Sequence, residues 1–276
     1  MAKRRRATTH ESIQKLIAAG RGQNEGRKYK PWLTIQDVPS NGLVHRIKGS
    51  KHGRVHHLMS NLERDYFYLL DWADDVIDIR EQYPLLPIEE TQNIAKSCSI
   101  KHPRDPATKH DIVMTTDFVI TMERDGKRWI QARTVKPSEK LRSQRVLEKF
   151  EIERKYWETR GINWGIVTEL DIPSVTVRNI DVLRLYRTIT DRGLSGTEIQ
   201  SIADYLRRNL RNALFTLAQI TTECDAAMRV RPGSSLVVAY HLIATRKWII
   251  DLHRPFNPTE LFILQERKDS YGSLPK

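Results

Sequence analysis

Asp117 and Lys136 lie on two runs of strand-type sequence whose spacing lets both side chains reach one phosphate. Met114 to Ile120 is rich in Thr, Val, Ile and Phe, and Arg128 to Lys136 is a second extended run. Between them, Glu123-Arg124-Asp125-Gly126-Lys127 carries an Asp-Gly pair, a strong local signal for a tight hairpin. With Asp125 and Gly126 as the loop residues, Asp117 falls opposite Thr134 and Lys136 opposite Thr115. Side chains alternate along a strand, so Asp117, Thr134 and Lys136 are expected on one face, with Pro137 holding Lys136 extended. A carboxylate that binds a divalent cation, beside an ammonium that orients water and offsets charge, is chemistry for a phosphodiester. The plainer reading of the same residues is an exposed cross-strand ion pair.

The elements that must position this pair come next. Ser60 opens a helix in which Leu62, Tyr66, Leu69 and Ala73 form an apolar stripe, with Glu63, Phe67 and Leu70 beside it. Glu63 therefore sits near the buried edge of its helix. Ser60-Asn61-Leu62-Glu63 also fits a capping box, in which the glutamate folds back onto the Ser60 N–H. Val76 to Leu85 reads as an extended segment ended by prolines, and Glu89 to Lys109 as a polar loop. Leu141 to Arg160 makes a charged helix with Val146, Leu147, Phe150 and Trp157 inward, stopped at Gly161. Asn163 to Thr168 is a short, nearly all-buried strand of the kind that follows a crossover helix. Helix, strand, strand, strand, helix, strand is the core order of the restriction-endonuclease-like fold, a mixed sheet between helices. In that fold the first helix supplies an acid to the site, which brings Glu63 to Asp117 and Lys136.

Length and composition bound the rest. At 276 residues the chain makes one large or two moderate domains. With 39% hydrophobic residues and no apolar run of membrane-spanning length, it reads as a soluble protein without a membrane partner. Met1 to Arg6 is basic with no apolar stretch behind it, so no secretory signal is expected. Cys98 and Cys224 form neither a disulfide framework nor a zinc ribbon, which fits a reducing cytosol. A formal charge of +12 favours a polyanionic partner, nucleic acid before membrane. There is no G-x-x-x-x-G-K-[S/T] phosphate loop, so no ATPase activity is expected.

Residues 1–19 read as a basic arm leading into a short helix with Ile13, Leu16 and Ile17 apolar, followed by a glycine-rich basic connector from Gly20 to Lys28. Basic and histidine residues dominate from Leu43 to Met59, either as a solvated ribbon or as a phosphate-contacting surface, with Lys51, Arg54, His56 and His57 the candidate DNA contacts. His52 and His56 have metal-pair spacing but no H-E-x-x-H context. From about Ile172 the chain turns helical with no comparable acid cluster. One helix runs from Ser195 to Leu214 with Arg207, Arg208 and Arg211 outward; another, from Ser234 to Thr245, precedes a short strand at Lys247 to Asp251. That succession suits a winged-helix-like domain or a generic helical cap.

Blocks of sequence in order and at close spacing carry a resemblance. They include Gly20-Arg21-Gly22-Gln23, Pro31-Trp32-Leu33-Thr34, Gly53-Arg54-Val55-His56-His57-Leu58, Leu62-Glu63, and the stretch from Asp78 to Pro87. Ile100-Lys101-His102-Pro103, Thr116-Asp117-Phe118, Val135-Lys136-Pro137, Leu147-Glu148-Lys149 and Glu153 to Trp157 continue the series. From Gly20 to Thr168 the chain resembles the TnsA family, the end-nicking endonuclease subunits of heteromeric cut-and-paste transposases. The resemblance implies catalytic acids at Glu63 and Asp117 and a catalytic lysine at Lys136. It also implies two Mg²⁺ ions, replaceable by Mn²⁺, held by Glu63 and Asp117, with Thr134 either binding through water or leaving that coordination to the carbonyl of Val135. The family usually has Gln or Glu where this chain has Thr134, whose hydroxyl is a shorter and weaker ligand for a hard cation.

The implied substrate is double-stranded DNA at transposon ends, cut at the 5′ ends to leave a 5′-phosphate and a 3′-hydroxyl. A TnsB-like transposase that cuts and joins the 3′ ends, and a TnsC-like AAA+ ATPase docked on the C-terminal domain, are the implied partners in a bacterial cytoplasm. The expected organisation is an N-terminal arm over 1–19, a restriction-endonuclease-like catalytic domain over 20–170 and a winged-helix-like partner-binding domain over 171–276. Rival readings are a catalytically silent DNA-binding or assembly subunit and a restriction-type nuclease acting alone.

Overall fold

The computed structural model describes residues 8–37, 43–210, 214–261 and 264–266. The chain divides into two compact units, Met1–Ile172 and Pro173–Lys276. Residues 1–7 of the basic arm, and Arg211, lie outside the described residues.

In the first unit, α1 (His10–Ala18) starts at Thr9, whose hydroxyl accepts the Ser12 N–H while the Ser12 side chain returns to the Thr9 backbone. Its Ile13 and Leu16 pack on Trp32 and Val113. The antiparallel hairpin of β1 (His45–Lys48) and β2 (Val55–Leu58) leads into α2 (Asn61–Trp72). There follow β3 (Val76–Pro84), α3 (Ile88–Ser97), β4 (Thr115–Arg124), β5 (Lys127–Val135), α4 (Gln144–Glu158) and β6 (Asn163–Val167). The sheet order is β3-β4-β5-β6, antiparallel except for the β5–β6 pair, which is parallel because α4 carries the chain back across the sheet. The sheet is therefore mixed, as the element order predicts.

The hairpin register is the one the Asp-Gly turn dictates, running from Phe118↔Arg133 to Arg124↔Lys127. Asp125 and Gly126 both adopt left-handed backbone, φ 52° and 73°, as a two-residue turn matched to strand twist requires. On one face of the sheet Val119 and Ala132 pack under Ile152, Tyr156 and Trp157 of α4. On the other face Phe118 meets Tyr66 of α2 edge-on, with ring centroids 5.6 Å apart. Each fully buried side chain of this size contributes roughly 1.5–3 kcal/mol to holding helix on sheet.

Four local expectations are corrected. The buried face of α2 follows Glu63, Phe67, Leu70 and Asp71, while Leu62, Tyr66 and Leu69 are only half-buried. Residues 88–97 form a helix rather than a loop, and only Thr91 and Ala95 of it are buried, too few apolar positions to show a helical period. On α4 the inward residues are Phe150, Ile152, Glu153, Tyr156 and Trp157, and Leu147 is 47% exposed. β6 lies at the sheet edge and is mostly half-buried.

The second unit comprises α5 (Ser174–Leu183), α6 (Gly196–Asn209), α7 (Leu217–Met228) and α8 (Ser234–Ala244), then β7 (Trp248–Ile249) paired antiparallel with β8 (Gln265–Glu266). Ser195 and Glu198 close a capping box at the start of α6. Ile202, Leu206, Leu217, Ile220, Val238 and Ala239 form a buried set of its own. Among the described residues no helix is long and apolar enough to cross a membrane.

Candidate active site

Asp117 sits where the regular pairing of β4 gives way on both sides. Toward β3 the register passes from Glu81↔Phe118 to Tyr83↔Thr116, bracketing Gln82 and Asp117. Toward β5 the ladder ends at Phe118↔Arg133, and the N–H of Val135 donates to Asp117 Oδ2 at 2.8 Å. Gln82 Nε2 donates to the other oxygen, Oδ1, at 3.1 Å. Burial pushes the Asp117 pKa up, against the Val135 N–H, the Lys136 charge and the Gln82 amide.

Glu63 lies three residues after the N-cap of α2. Its N–H donates to Ser60 Oγ at 3.1 Å, and its carboxylate accepts from the Ser60 hydroxyl at 3.0 Å and from the Met59 N–H at 2.9 Å. The S-x-x-E signal thus yields a cap, but the glutamate returns to the backbone of Met59 rather than Ser60. The same carboxylate is buried beside a second acid: burial and the charge of Asp117 push its pKa up to about 8, opposed by its hydrogen bonds and by Lys136. Lys136, fixed through its N–H to Val167 O at 2.9 Å, bears electrostatically on both acids. The capping carboxylate is thus also the one that feels the charge of Asp117.

Thr134 departs from expectation. It is buried, and its hydroxyl donates to Glu153 Oε1 of α4. Thr116 donates to the same oxygen at 2.7 Å, and Trp164 Nε1 does so at 3.0 Å. Strict alternation sets Thr116 and Thr134 on opposite faces, yet both reach α4, so the alternation breaks at Asp117. Asp117 and Thr134 therefore do not share a face as the hairpin register predicts, and the Thr134 hydroxyl proton is committed away from the acid pair. Burial raises the Glu153 pKa to about 7, against the Thr134 and Thr116 hydroxyls. Glu153 was not among the sequence-derived candidates; its signal is one acid on a helix face otherwise made of Phe150, Ile152, Tyr156 and Trp157.

The basic ribbon divides. Arg54 forks onto Glu81, Nη1 to Oε1 at 2.7 Å and Nη2 to Oε2 at 2.6 Å, and also donates to the Ile79 carbonyl. His56 Nδ1 lies 2.9 Å from Glu81 Oε2. Burial alone raises the Glu81 pKa, but His56 and Arg54 bring it down to about 2. A carboxylate 1% exposed has to be paired, so Arg54 and His56 face inward and are not available to a phosphate, which corrects the sequence reading. Lys51 donates to the Ala73 carbonyl at 2.6 Å, and half-buried His57 accepts from the Ile35 N–H. His52 turns to Asp78 and His56 to Glu81, so the two do not form a metal pair.

Among the described residues no three His, Cys, Asp or Glu side chains form a metal-holding group. The chemistry of the donor set still fits a hard cation. Glu63 is buried and Asp117 half-buried, the charge of Asp117 disfavours that of Glu63, and Mg²⁺ needs only one or two such carboxylates, taking water for the rest.

A family described as TnsA-like endonuclease N terminal matches residues 73–169, and one described as TnsA endonuclease C terminal matches residues 171–252. Asp117 and Lys136 fall inside the first match, and Glu63 lies before it. The Escherichia coli protein named Transposon Tn7 transposition protein TnsA is 45% identical over 188 residues, covering 68% of this chain and 67% of that protein.

Proposed function

The chain belongs to the TnsA family and is a DNA endonuclease, and from that premise we propose that it hydrolyses the phosphodiester at the 5′ ends of a transposon using Mg²⁺. The observation that carries this reading is that Glu63, held by the cap of α2, feels the charges of both Asp117 and Lys136, while Asp117, held by the Val135 N–H and Gln82, feels that of Lys136. Glu63 and Asp117, with the Val135 carbonyl, are the groups to hold two Mg²⁺ ions, for which Mn²⁺ can substitute. Bound divalent cations supply Lewis acidity at the phosphoryl oxygens and lower the pKa of water. Lys136 orients the attacking water and offsets negative charge growing on the phosphoryl group. The Val135 N–H and the Gln82 amide hold Asp117 in place while this happens.

Residues 20–170 are the catalytic domain in this reading. Residues 171–276 form a winged-helix-like domain that docks a TnsC-like ATPase and meets a TnsB-like transposase, which processes the 3′ ends. The enzyme works on DNA in a bacterial cytoplasm. Asp117→Ala and Lys136→Ala, purified and assembled with these partners on a transposon end, lose 5′-strand nicking while keeping the parent's circular dichroism and melting temperature. Glu63→Gln retains a capping acceptor but lowers nicking on the order of a hundred-fold or more. Normal cutting by the Asp117 or Lys136 variant sinks the site, and strong plasmid nicking by the unaccompanied protein favours a restriction-type enzyme instead.

A further inference from the structure

Gln82 is a non-glycine residue with left-handed backbone, φ 48°, in the interior of β3, and it is only 3% exposed. Left-handed geometry is unfavourable for an ordinary side chain and persists where the surroundings enforce it, often at functional sites. Here the surroundings are specific. The Gln82 carbonyl accepts the Trp32 N–H at 3.1 Å, the Thr115 hydroxyl donates to Oε1 at 3.2 Å, and Nε2 then faces Asp117 Oδ1 at 3.1 Å. An ionised carboxylate only accepts, so Asp117 takes the NH₂ end of the amide, and the Thr115 hydroxyl, which can donate, satisfies the oxygen left at the other end. With Val135 N–H on Oδ2, each carboxylate oxygen is held by one hydrogen bond and keeps lone-pair capacity for another ligand.

We propose that Gln82 is a positioning residue for the nuclease reaction: it fixes the rotation of the Asp117 carboxylate so that its unused lone pairs point at the divalent cation. The inference rests on the assignment of Asp117 to the cation site. Glutamine suits the task because the end of its amide that meets Asp117 is a neutral donor, its oxygen is taken by the Thr115 hydroxyl, and it adds no charge to a site already holding two acids. Its strained backbone follows from the same need, since the left-handed residue within β3 brings the amide beside Asp117 at the position the β3–β4 pairing leaves out.

Two variants separate positioning from scaffolding. Gln82→Met keeps the length and apolar stem but removes the donor. Gln82→Asn is better suited to left-handed backbone, yet one methylene too short to reach Asp117. Mn²⁺ binding to the full-length metal-free protein is measured by electron paramagnetic resonance and calorimetry, alongside melting in chelator and nicking with the partner subunits across a Mg²⁺ titration. Both variants are expected to raise the half-saturating Mn²⁺ and Mg²⁺ concentrations roughly 10- to 100-fold. Nicking should recover at high metal, and Gln82→Asn should melt no lower than the parent. Unchanged metal affinity in both variants overturns the proposal, whether or not melting falls. Asp117→Asn is the companion control: if it binds Mn²⁺ like the parent, the cation site itself is wrong; if it loses binding while the Gln82 variants keep theirs, only the positioning role fails.

Discussion

Thr134 carries a hydroxyl that is already spent: it donates to Glu153, which also takes donors from Thr116 and Trp164, and Trp157 Nε1 closes the network on Thr116 at 2.7 Å. Inserting the longer Gln that the family resemblance makes usual at this position is therefore no simple restoration. Thr134 is 5% exposed, and added bulk meets α4, so Thr134→Gln is expected to destabilise by roughly 1–3 kcal/mol without raising nicking. Glu153 gives a sharper test of what the network needs. Its pKa, raised by burial to about 7, leaves it near half-protonated at neutral pH, so a neutral acceptor is a fair replacement. Glu153→Gln should stay within about 1 kcal/mol of the parent in urea unfolding, whereas Glu153→Ala strands two buried hydroxyls and the half-buried Trp164 N–H and should cost about 3 kcal/mol or more. Equal losses in the two variants would show that the charge, not the acceptor, is what the fold uses.

At the level of elements, β2 and β3 are joined by one buried carboxylate, Glu81, with Arg54 and His56 on it and Tyr29 beneath the guanidinium, 5.1 Å from the ring centroid. The folded pKa of about 2 lies below the ordinary 4.5, so ionised Glu81 stabilises the protein above its unfolded pKa, and that stability is lost as pH falls from about 4.5 through 2. The shift corresponds to roughly 3 kcal/mol at neutral pH. Glu81→Gln leaves Arg54 buried without its counter-charge and should cost about 3–5 kcal/mol at pH 7, the gap from the parent closing as pH is lowered toward 2. A pH-independent gap in denaturant melts would remove Glu81 as the linked group. What was legible in the chain follows the same division. The β4–β5 hairpin and the start of α2 are local: Asp125-Gly126 and Ser60 with Glu63 carry their own turn and cap chemistry, and the crossover of α4 follows from strand order. The break at Asp117 is not local, since it depends on Gln82 in another strand and on Glu153 in a helix. Nor does a count of basic residues say that Arg54 meets an acid 27 positions away, so a paired interior looks the same in the chain as a solvated ribbon or a DNA surface.

Across the whole molecule, the two units hold separate sets of fully buried side chains. Phe67, Ile79, Leu85, Phe118 and Ile152 belong to the first; Leu183, Ile202, Leu206, Leu217 and Val238 belong to the second. Ligands to the proposed cations all lie in the first set's unit, so the chemistry and the helical unit draw on different cores. Trp248, 2% exposed, is the second unit's own tryptophan; Trp32, Trp72, Trp129, Trp157 and Trp164 all lie in the first. If each core closes by its own burial, a change at Glu81 acts on one transition only. For a unit of this size each kcal/mol moves the midpoint by about 2–4 °C, so Glu81→Gln should lower the first unit's melting by roughly 10 °C. The Trp248 signal, resolved by fluorotryptophan labelling and assigned with Trp248→Phe, should keep its midpoint within about 2 °C, and residues 173–276 expressed alone should melt cooperatively. A Trp248 midpoint that falls with the rest, together with a fragment that shows no cooperative transition, would mean that the helical unit borrows its stability from the catalytic one.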